Sequence, residues 1–494
     1  MPEKNTAGLS IIELPELVLQ MFERVQPEAM PAQQLFIRYL RRKAERGLAI
    51  IFSTEAASVS QTLSLTLDEQ ALDGPNIRFT RQQVEQAQIE VLASGVLRSK
   101  ELGLTIQAFP NDEGLPTLKD CFNTDQDGPI FASLQRAAQR QFHDLSYHLH
   151  HVEVQPVRYK PGSRCVIRYK LWVSPPHDDE PVTAHHDRQL NLFGKVYAKP
   201  QQASDVFAMT HLLYDEQAQR RVNSLRINSL EGALLPQPLA LVPECGLTLT
   251  EAVQAPATAL QTAILRTGTE VFRPGFMRDR GGAITNLGVP EASLGMTATA
   301  LARIHTSHVK PADQTPRTGA KEAKRARERA NLIASYYPKL SEQVLNCVED
   351  LAQRLQAQTP ETYLPAHGGF KASQLLFHSS KVFVVDFDGL CLADPALDVG
   401  YFLAYLRPST LWYHKSGARE WFEEGARIFL DCYQQGMLAR GNTPDVVQGI
   451  LKRTHLYEAA LIFKIATRRV NRLNSPRLPE LTAMLDEIQG CLEA

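Results

Sequence analysis

The segment 365–405 contains three oxygen-bearing side chains whose types and spacing suit a divalent cation. Asp386 directly follows the apolar run 382–385, Asp388 lies two residues further on, and Gln374 precedes the run. A short apolar run of this kind predicts a buried strand, so the Asp386 carboxylate should leave the sheet where the strand ends. Carboxylate and amide oxygens are ligands that Mg²⁺ accepts. The Asp386 carboxylate could therefore meet a Mg²⁺ ion that bridges the phosphates of a nucleotide.

The side chains around Asp386 each allow two interpretations. Gln374 carries an amide oxygen on a long stem, which can reach a cation or form a hydrogen bond within its loop. Asp388 can be a second metal ligand or can form the turn after the strand. Asp386 could likewise cap that turn, but the surrounding motif favours the metal.

A second group of residues is suited to contacting the phosphates of a nucleotide. Phosphoryl transfer requires mainly positioning and electrostatic stabilisation, for which kinases use a lysine, a phosphate-covering loop and metal ions. Lys195 lies within a predicted strand and is our candidate for the lysine, with Lys199 as its rival. The turn 160–164, KPGSR, could bring the amides of Gly162 and Ser163 to a phosphate. An ordinary hairpin turn explains the same residues equally well.

The order of these motifs resembles the aminoglycoside phosphotransferase family of the protein-kinase-like superfamily. That family has an HGDxxxxN motif, then a strand, then IDFD and DPxxDL motifs. The corresponding residues here are His367-Gly368-Gly369, Gln374, Val385-Asp386-Phe387-Asp388 and Asp394-Pro395-Ala396-Leu397-Asp398-Val399. The folded segment before the kinase-like part also resembles the bacterial maltokinases, in arrangement only.

The resemblance implies a nucleotide, ATP or another NTP, bound with Mg²⁺ between two lobes, and a role for each matching residue. Asp386 would be the metal-binding aspartate, Gln374 would replace the family's asparagine, and Lys195 would contact the α- and β-phosphates. His367 and Asp398 would be structural, with Asp398 tying the catalytic loop to a helix. A glutamate from the next helix should pair with Lys195, but its segment VFAMTHLLY lacks one.

Gly369 stands where the family has its catalytic aspartate. A glycine can neither accept a proton nor orient a hydroxyl group, so the position of the catalytic base is empty. Loss of a general base commonly lowers a rate by about 10²–10⁴-fold, although a loose phosphoryl transition state depends mostly on positioning and metal charge. Two functions stay open. One is an atypical phosphotransferase acting on a hydroxylated small molecule, such as a sugar or an aminocyclitol; the other is a catalytically inactive pseudokinase serving as a nucleotide-binding regulatory or scaffold module.

The elements that must position these residues predict an α+β chain with a bilobal protein-kinase-like fold, in which a small β-rich lobe precedes a larger helical lobe. We assign an α+β extension of unknown role to residues 1–146, the small lobe to 147–246 and the helical lobe to 247–494. A hinge is expected near Cys245-Gly246, where the small lobe would end.

Local patterns predict individual elements of the first half of the chain. Apolar residues spaced as on one face of a helix predict a helix within 14–46, on the evidence of Leu35, Phe36, Tyr39 and Leu40. The runs 151–159, 165–173 and 192–199 are rich in β-branched and aromatic residues and predict strands.

The composition excludes several classes of function. The 53 basic and 54 acidic residues give a formal net charge of −1, which favours neither nucleic acid nor an anionic membrane as a partner. The seven cysteines occur singly and predict neither a disulfide framework nor a structural zinc site. The sequence lacks a signal-peptide pattern and a bilayer-spanning apolar run, so we expect a cytoplasmic protein whose partners are a nucleotide and either a small substrate or a protein.

Overall fold

The computed structural model of the protein describes residues 9–29, 34–43, 47–54, 62–73, 76–174, 188–223, 233–253, 289–378, 381–414, 416–470 and 478–494. The chain divides into two compact units. The first contains Met1–Ser204 and Pro238–Ala252, and the second contains Asp205–Gln237 and most of the chain from Val253 onwards. In the part of the chain that is described, no helix is long and apolar enough to cross a membrane.

The extension contains a six-stranded antiparallel sheet that packs against a helix. Its elements are α1 (Leu14–Val25), β1 (Phe36–Lys43), β2 (Gly47–Ser53), β3 (Thr62–Leu67), the short pair β4 (Leu72–Asp73) and β5 (Asn76–Ile77), α2 (Arg81–Gln86), β6 (Glu90–Ala93), β7 (Val96–Ser99) and β8 (Leu104–Ala108). The strand order is β1-β2-β3-β8-β7-β6. Leu14 and Phe22 of α1 are fully buried in one core with Ile50 and Leu65 of the sheet.

The prediction of a helix across 14–46 is wrong in its second half. The helix α1 ends at Val25, and β1 pairs antiparallel with β2 along its whole length. A β-bulge interrupts this pairing between Ile37 and Tyr39. A bulge inserts one extra residue, so Ile37 and Leu40 both pack against the core although they are three residues apart. This spacing imitates the periodicity of a helix.

The second antiparallel sheet has five strands and follows the extension. Helix α3 (Phe131–Phe142) precedes its first three strands, β9 (His148–Lys160), β10 (Arg164–Ser174) and β11 (Arg188–Tyr197). The short strand β12 (Ala233–Leu234) belongs to another sheet, and the last two strands of this sheet follow it as β13 (Pro238–Val242) and β14 (Leu247–Glu251). The strand order is β13-β14-β11-β10-β9. The strands that the sequence predicts at 151–159, 165–173 and 192–199 are confirmed. Every second residue of β10 from Cys165 to Val173 is buried in a core that also contains Leu134 of α3.

The prediction of a hinge at Cys245-Gly246 needs a correction. These residues form the turn between β13 and β14, and β14 pairs with both β13 and β11. Gly246 has φ 57°, a conformation that a tight turn requires and that glycine adopts at little cost. The chain thus stays in the first unit as far as Ala252.

The second unit is mainly helical and surrounds two small sheets. Its helices are α4 (Pro200–Asn223), which begins in the first unit, α5 (Glu291–His305), α6 (Gly319–Tyr336), α7 (Ser341–Ala357), α8 (Ala396–Leu406), α9 (Ala418–Leu438), α10 (Pro444–Val470) and α11 (Leu478–Glu493). Between α7 and α8 lie β15 (Leu364–Ala366), β16 (Leu375–His378), β17 (Lys381–Val384) and β18 (Cys391–Ala393). The β16–β17 hairpin pairs with β12, and β15 pairs with β18. The predicted α+β class, with a strand-rich lobe and a larger helical lobe, is confirmed.

Candidate active site

Asp386 lies just beyond β17, at the start of the short helical turn Phe387–Gly389. Its backbone has φ 72° and ψ 53°, which is the left-handed region. A non-glycine residue held there costs on the order of 1–3 kcal/mol, and such residues cluster at functional sites. Its side chain is half-buried, so a ligand can reach the carboxylate. The strain is therefore a structural indication that this position has a function.

Gln374 contacts the Asp386 side chain and has an unsatisfied oxygen. The amide Nε2 of Gln374 donates to Oδ2 of Asp386 at 3.2 Å, and its backbone oxygen accepts from Val385 at 3.0 Å. The amide Oε1 is buried and has no hydrogen-bond partner among the described residues. A buried acceptor left without a partner costs about 1–3 kcal/mol. A cation bound beside Asp386 would supply the missing partner.

The metal-ligand set of this site fits a cation that is also held by phosphates. Within the described ranges, no group of three or more His, Cys, Asp and Glu side chains could hold a metal ion. Asp388, in the turn after Asp386, is half-buried and offers a second carboxylate. Mg²⁺ usually takes one or two carboxylates from a protein and completes its shell with water and substrate phosphates. Asp386 and Asp388 could supply these carboxylates, and Gln374 could add its amide oxygen.

A buried carboxylate fixes the loop that contains Gly369. Asp398, in the first turn of α8, accepts a hydrogen bond from the amide of Gly368 at 3.2 Å and one from the amide of Phe370 at 3.4 Å. Its side chain is fully buried. Burial opposes its ionisation, but contact with His305 and the backbone amide of Phe370 hold the pKa of Asp398 below its usual value. Asp398 thus links α8 to both sides of Gly369.

His305, at the end of α5, extends this connection into the helical core. Its Nε2 lies 3.5 Å from Oδ2 of Asp398, and its Nδ1 lies 2.7 Å from the hydroxyl of Tyr433 in α9. All three side chains are completely buried. The loop is therefore connected through Asp398 and His305 to two further helices. Sequence reasoning did not identify His305, because its partner lies 93 positions away and no local pattern marks the pair.

Two more side chains hold the loop from other directions. Arg317 donates from Nη1 to the carbonyl oxygen of Gly368 at 2.8 Å and from Nε to Glu322 at 2.7 Å. Glu322 is fully buried, but the hydrogen bond and charge of Arg317 lower its pKa to about 2. Burial lowers the pKa of His367, whose Nε2 lies 3.1 Å from the carbonyl oxygen of Val385. As a neutral ring it can donate this hydrogen bond, which links the loop to the residue before Asp386.

Gly368 and Gly369 differ in whether the surrounding structure leaves room for a side chain. Gly368 has φ 73°, and a Cβ atom added to it would lie 2.0 Å from the carbonyl oxygen of Gly389. A Cβ atom added to Gly369 would have only one described heavy atom within 4 Å besides its chain neighbours, Nε2 of Gln374 at 3.9 Å. The backbone therefore requires glycine at 368 but leaves room for a side chain at 369. Among the described residues, no carboxylate comes within 4 Å of that position.

Lys195 lies in β11, an interior strand of the second sheet. It pairs with Val166 of β10 on one side and Thr248 of β14 on the other. Its ammonium group lies 5.3 Å from the ring centre of Tyr197. Lys199 is exposed and lies beyond the end of the strand. Of the two lysines, only Lys195 has a position that the sheet fixes on both sides.

The turn between β9 and β10 contains Gly162 and Ser163. Gly162 has φ 65° and follows a proline, as a type II turn requires, and the Ser163 amide donates to Lys160 at 3.1 Å. The amide of Gly162 donates to a carboxylate oxygen of Asp112 in the extension at 2.8 Å. Both amides therefore already have partners in the protein. Asp112 has no sequence signal, because its role depends on a contact 50 positions away.

The helix after Lys195 lacks the expected glutamate in its first half. Glu216 lies toward the end of α4 and accepts from the backbone amide of His308 at 3.1 Å. Its carboxylate also lies 3.2 Å from Nδ1 of that histidine. Glu216 thus has a partner within the second unit.

Comparison with known proteins gives a family match within the second unit. The model of the phosphotransferase enzyme family (APH) matches residues 277–430. No curated protein matches the chain. Solved structures with similar folds include a glucosamine kinase in complex with glucosamine, ADP and inorganic phosphate, which has 15% identity, a TM-score of 0.40 and coverage of 98% of this chain and 99% of that one.

Two other solved structures are similar over shorter parts of the chain. The ADP-bound aminoglycoside phosphotransferase APH(2'')-Ib has 12% identity and a TM-score of 0.38, covering 74% of this chain and 98% of its own. A choline kinase from Cryptosporidium parvum Iowa II has 14% identity and a TM-score of 0.38, covering 69% of this chain and 88% of its own. The family match includes the loop around Gly369, the turn at Asp386 and the buried Asp398. Residues 277–430 of this chain are therefore similar to the phosphotransferase enzyme family.

Proposed function

We propose that the protein is a phosphotransferase that uses Mg²⁺ and ATP, or another NTP, to phosphorylate a hydroxylated small molecule of the sugar or aminocyclitol type. The observation that carries this proposal is the pair formed by Gln374 and Asp386. Asp386 has a strained backbone, and Gln374 has a buried amide oxygen without a described hydrogen-bond partner. Both costs are understandable if the two side chains bind a cation together.

The proposal gives each residue of the metal-ligand set a role. Asp386 and the amide oxygen of Gln374 hold the cation, and Asp388 is the second carboxylate. When bound, Mg²⁺ neutralises negative charge on the transferring phosphoryl group. Lys195 and the turn at Gly162 and Ser163 are our candidates for contacts with the nucleotide phosphates. Because the amides of this turn donate within the protein, Ser163 contributes its side chain.

The absence of a base at Gly369 predicts a slow enzyme rather than an inactive one. A loose transition state spreads charge over the phosphoryl oxygens and needs little proton removal from the acceptor. Positioning is what the loop supplies, and Asp398, Arg317 and His367 hold it from three directions. Turnover should lie about 10²–10⁴-fold below the 1–100 s⁻¹ that is usual for kinases.

A catalytically inactive pseudokinase is the second candidate function. The observation that favours it is that no described carboxylate lies within 4 Å of a Cβ atom added to Gly369. In that case the same residues would bind a nucleotide without transferring its phosphate. The protein would then act as a regulatory or scaffold module for a protein partner.

Transfer of labelled phosphate from ATP to a panel of sugars, aminocyclitols and amino alcohols separates the two functions. We expect slow, Mg²⁺-dependent labelling of at least one acceptor by the wild-type protein and none by Asp386→Ala. Asp431→Ala is the matched control, because that carboxylate is half exposed and pairs with Arg427 on the surface of α9. Nucleotide binding without labelling of any acceptor would favour the pseudokinase, and equal labelling by Asp386→Ala would refute the metal assignment.

A further inference from the structure

The segment 109–122 joins the sheet of the extension to α3 and contacts the second sheet at several points. The hydroxyl of Thr117 donates to the carbonyl oxygen of Cys245, in the β13–β14 turn, at 2.8 Å. The hydroxyl of Tyr169 in β10 donates to the carbonyl oxygen of Cys121 at 2.8 Å. The ring of Phe109 packs edge-to-face on Tyr159 of β9, with ring centres 5.0 Å apart. The segment therefore rests on the same sheet that contains Lys195.

Asp112 makes the most specific of these contacts. Its Oδ2 accepts from the amide of Gly162 and from the hydroxyl of Tyr159, each at 2.8 Å, and its Oδ1 accepts from the amide of Gly114 at 2.8 Å. Asp112 is 6% exposed. Burial and the charge of Asp112 raise the pKa of Tyr159 well above its ordinary value, so its hydroxyl stays a donor. Three donors thus surround one buried carboxylate.

Backbone contact between two glycines brings the segment and the turn together. A Cβ atom added to Gly114 would lie 2.5 Å from Cα of Gly162 and 3.1 Å from its carbonyl carbon. A side chain at position 114 would therefore force the turn or the segment to move. The close approach and the hydrogen bond from Gly162 to Asp112 fix the turn at two neighbouring points.

A carboxylate that accepts from a turn amide occupies the direction in which that amide could otherwise donate to a phosphate. Hydrogen bonds to a charged group are stronger than those between neutral groups, so this one restrains the turn. A restrained turn loses less conformational entropy when a ligand binds. We propose that Asp112 is a positioning residue through which the extension fixes the Gly162 turn for nucleotide binding. This inference rests on the proposed function and assigns a role to the extension.

The test compares nucleotide use by full-length Asp112→Ala and Asp112→Asn with that of the wild-type protein. Without the carboxylate, KM for ATP should rise about tenfold while kcat and KM for the acceptor stay unchanged; tenfold corresponds to about 1.4 kcal/mol. Asp112→Asn keeps the size of the side chain but loses its charge, and its KM for ATP should lie between those of the wild-type protein and Asp112→Ala. Glu113→Ala is the matched control, because Glu113 is the adjacent acidic residue but pairs with Arg98 of the extension.

Hydrogen exchange provides a readout that does not depend on catalysis. The amide of Gly162 should exchange slowly in the ligand-free wild-type protein and at least about tenfold faster in Asp112→Ala. If Asp112→Ala does not fold, Tyr159→Phe removes one of the three donors and should raise KM for ATP in the same direction, by a smaller factor.

The possible results distinguish the two proposals. An unchanged KM for ATP in Asp112→Ala, with wild-type activity intact, overturns the role of Asp112 alone. A lower KM in that variant also overturns it, because the carboxylate would then compete with phosphate. No binding of ATP and Mg²⁺ by the wild-type protein overturns the proposed function and this inference together.

Discussion

Gly369→Asp places a carboxylate at the position that the resemblance to the aminoglycoside phosphotransferase family assigns to the catalytic aspartate. The backbone at 369 is not in the left-handed region, and the nearest described atom to the new Cβ would be Nε2 of Gln374 at 3.9 Å. The Cβ atom of the new side chain therefore enters without a steric clash. The amides of Gly368 and Phe370 remain bound to Asp398. We expect the free energy of unfolding to change by no more than about 0.5 kcal/mol, as for a surface substitution.

The new carboxylate should raise kcat by on the order of 10²-fold, the lower end of what a general base contributes. A 10²-fold increase corresponds to about 2.7 kcal/mol of transition-state stabilisation. The lower end is appropriate because Nε2 of Gln374 can donate to the new carboxylate and weaken it as a base. KM for ATP should change little, because the substitution leaves the proposed metal ligands Asp386 and Asp388 in place.

The assay is the Mg²⁺-dependent release of ADP, measured with the acceptor panel and with water alone as the acceptor. Gly369→Asn is the matched control, because it has the same size and polarity but cannot accept a proton. A faster Asp variant and an unchanged Asn variant would support the reasoning. Equal rates for Asp, Asn and wild type, in a protein that binds ATP and Mg²⁺, would refute the view that only the base is missing.

Two further predictions concern stability. Gln374→Leu removes the amide oxygen that has no described partner, so the free energy of unfolding in urea titrations should stay the same or rise by about 1 kcal/mol. The stabilisation of this variant by ATP and Mg²⁺ should be lost. A large destabilisation of the ligand-free variant would show that the amide is structural. Glu322, whose pKa falls from 4.5 to about 2, stabilises the fold above pH 4.5 and loses this contribution as the pH falls toward 2. This difference in pKa corresponds to about 3 kcal/mol of stability, so the free energy of unfolding of Glu322→Gln at pH 7 should be lower by up to this amount. Between pH 4.5 and pH 2 the variant should lose less stability than the wild-type protein. Parallel stability profiles against pH for the two proteins would contradict the role of Glu322.

The sequence predicted the parts of the fold that depend on local patterns. The strands β9, β10 and β11 were predicted from their β-branched and aromatic residues, and the run before Asp386 forms the predicted strand β17. Strand β1 escaped prediction because Leu35, Phe36, Tyr39 and Leu40 have the spacing of one helix face, although the last three of them pair with β2. The turn at Cys245-Gly246 was taken for a hinge because β14, which closes the hairpin, was not identified.

The contacts that hold the candidate site could not be predicted from local patterns. Arg317 donates directly to Gly368 in the loop, and His305 is connected to the loop through Asp398, although both residues lie far from the loop in the sequence. The contact of Asp112 with Gly162 likewise joins two turns through one buried carboxylate. The sequence also does not show that the backbone requires glycine at position 368 but accepts a side chain at position 369. The difference between Gly368 and Gly369 depends on the carbonyl oxygen of Gly389, which only the folded chain brings close.

The most direct test of the central claim is a thermal-shift titration with ATP, with and without Mg²⁺. Ligand at 100 times its Kd should stabilise the wild-type protein by about 2.7 kcal/mol, because only the native state binds it. We predict a rise in Tm that requires Mg²⁺, disappears in Asp386→Ala and persists in Asp431→Ala. The absence of any shift with the wild-type protein, or an equal shift in Asp386→Ala, would contradict the assignment of this site to a metal-bound nucleotide.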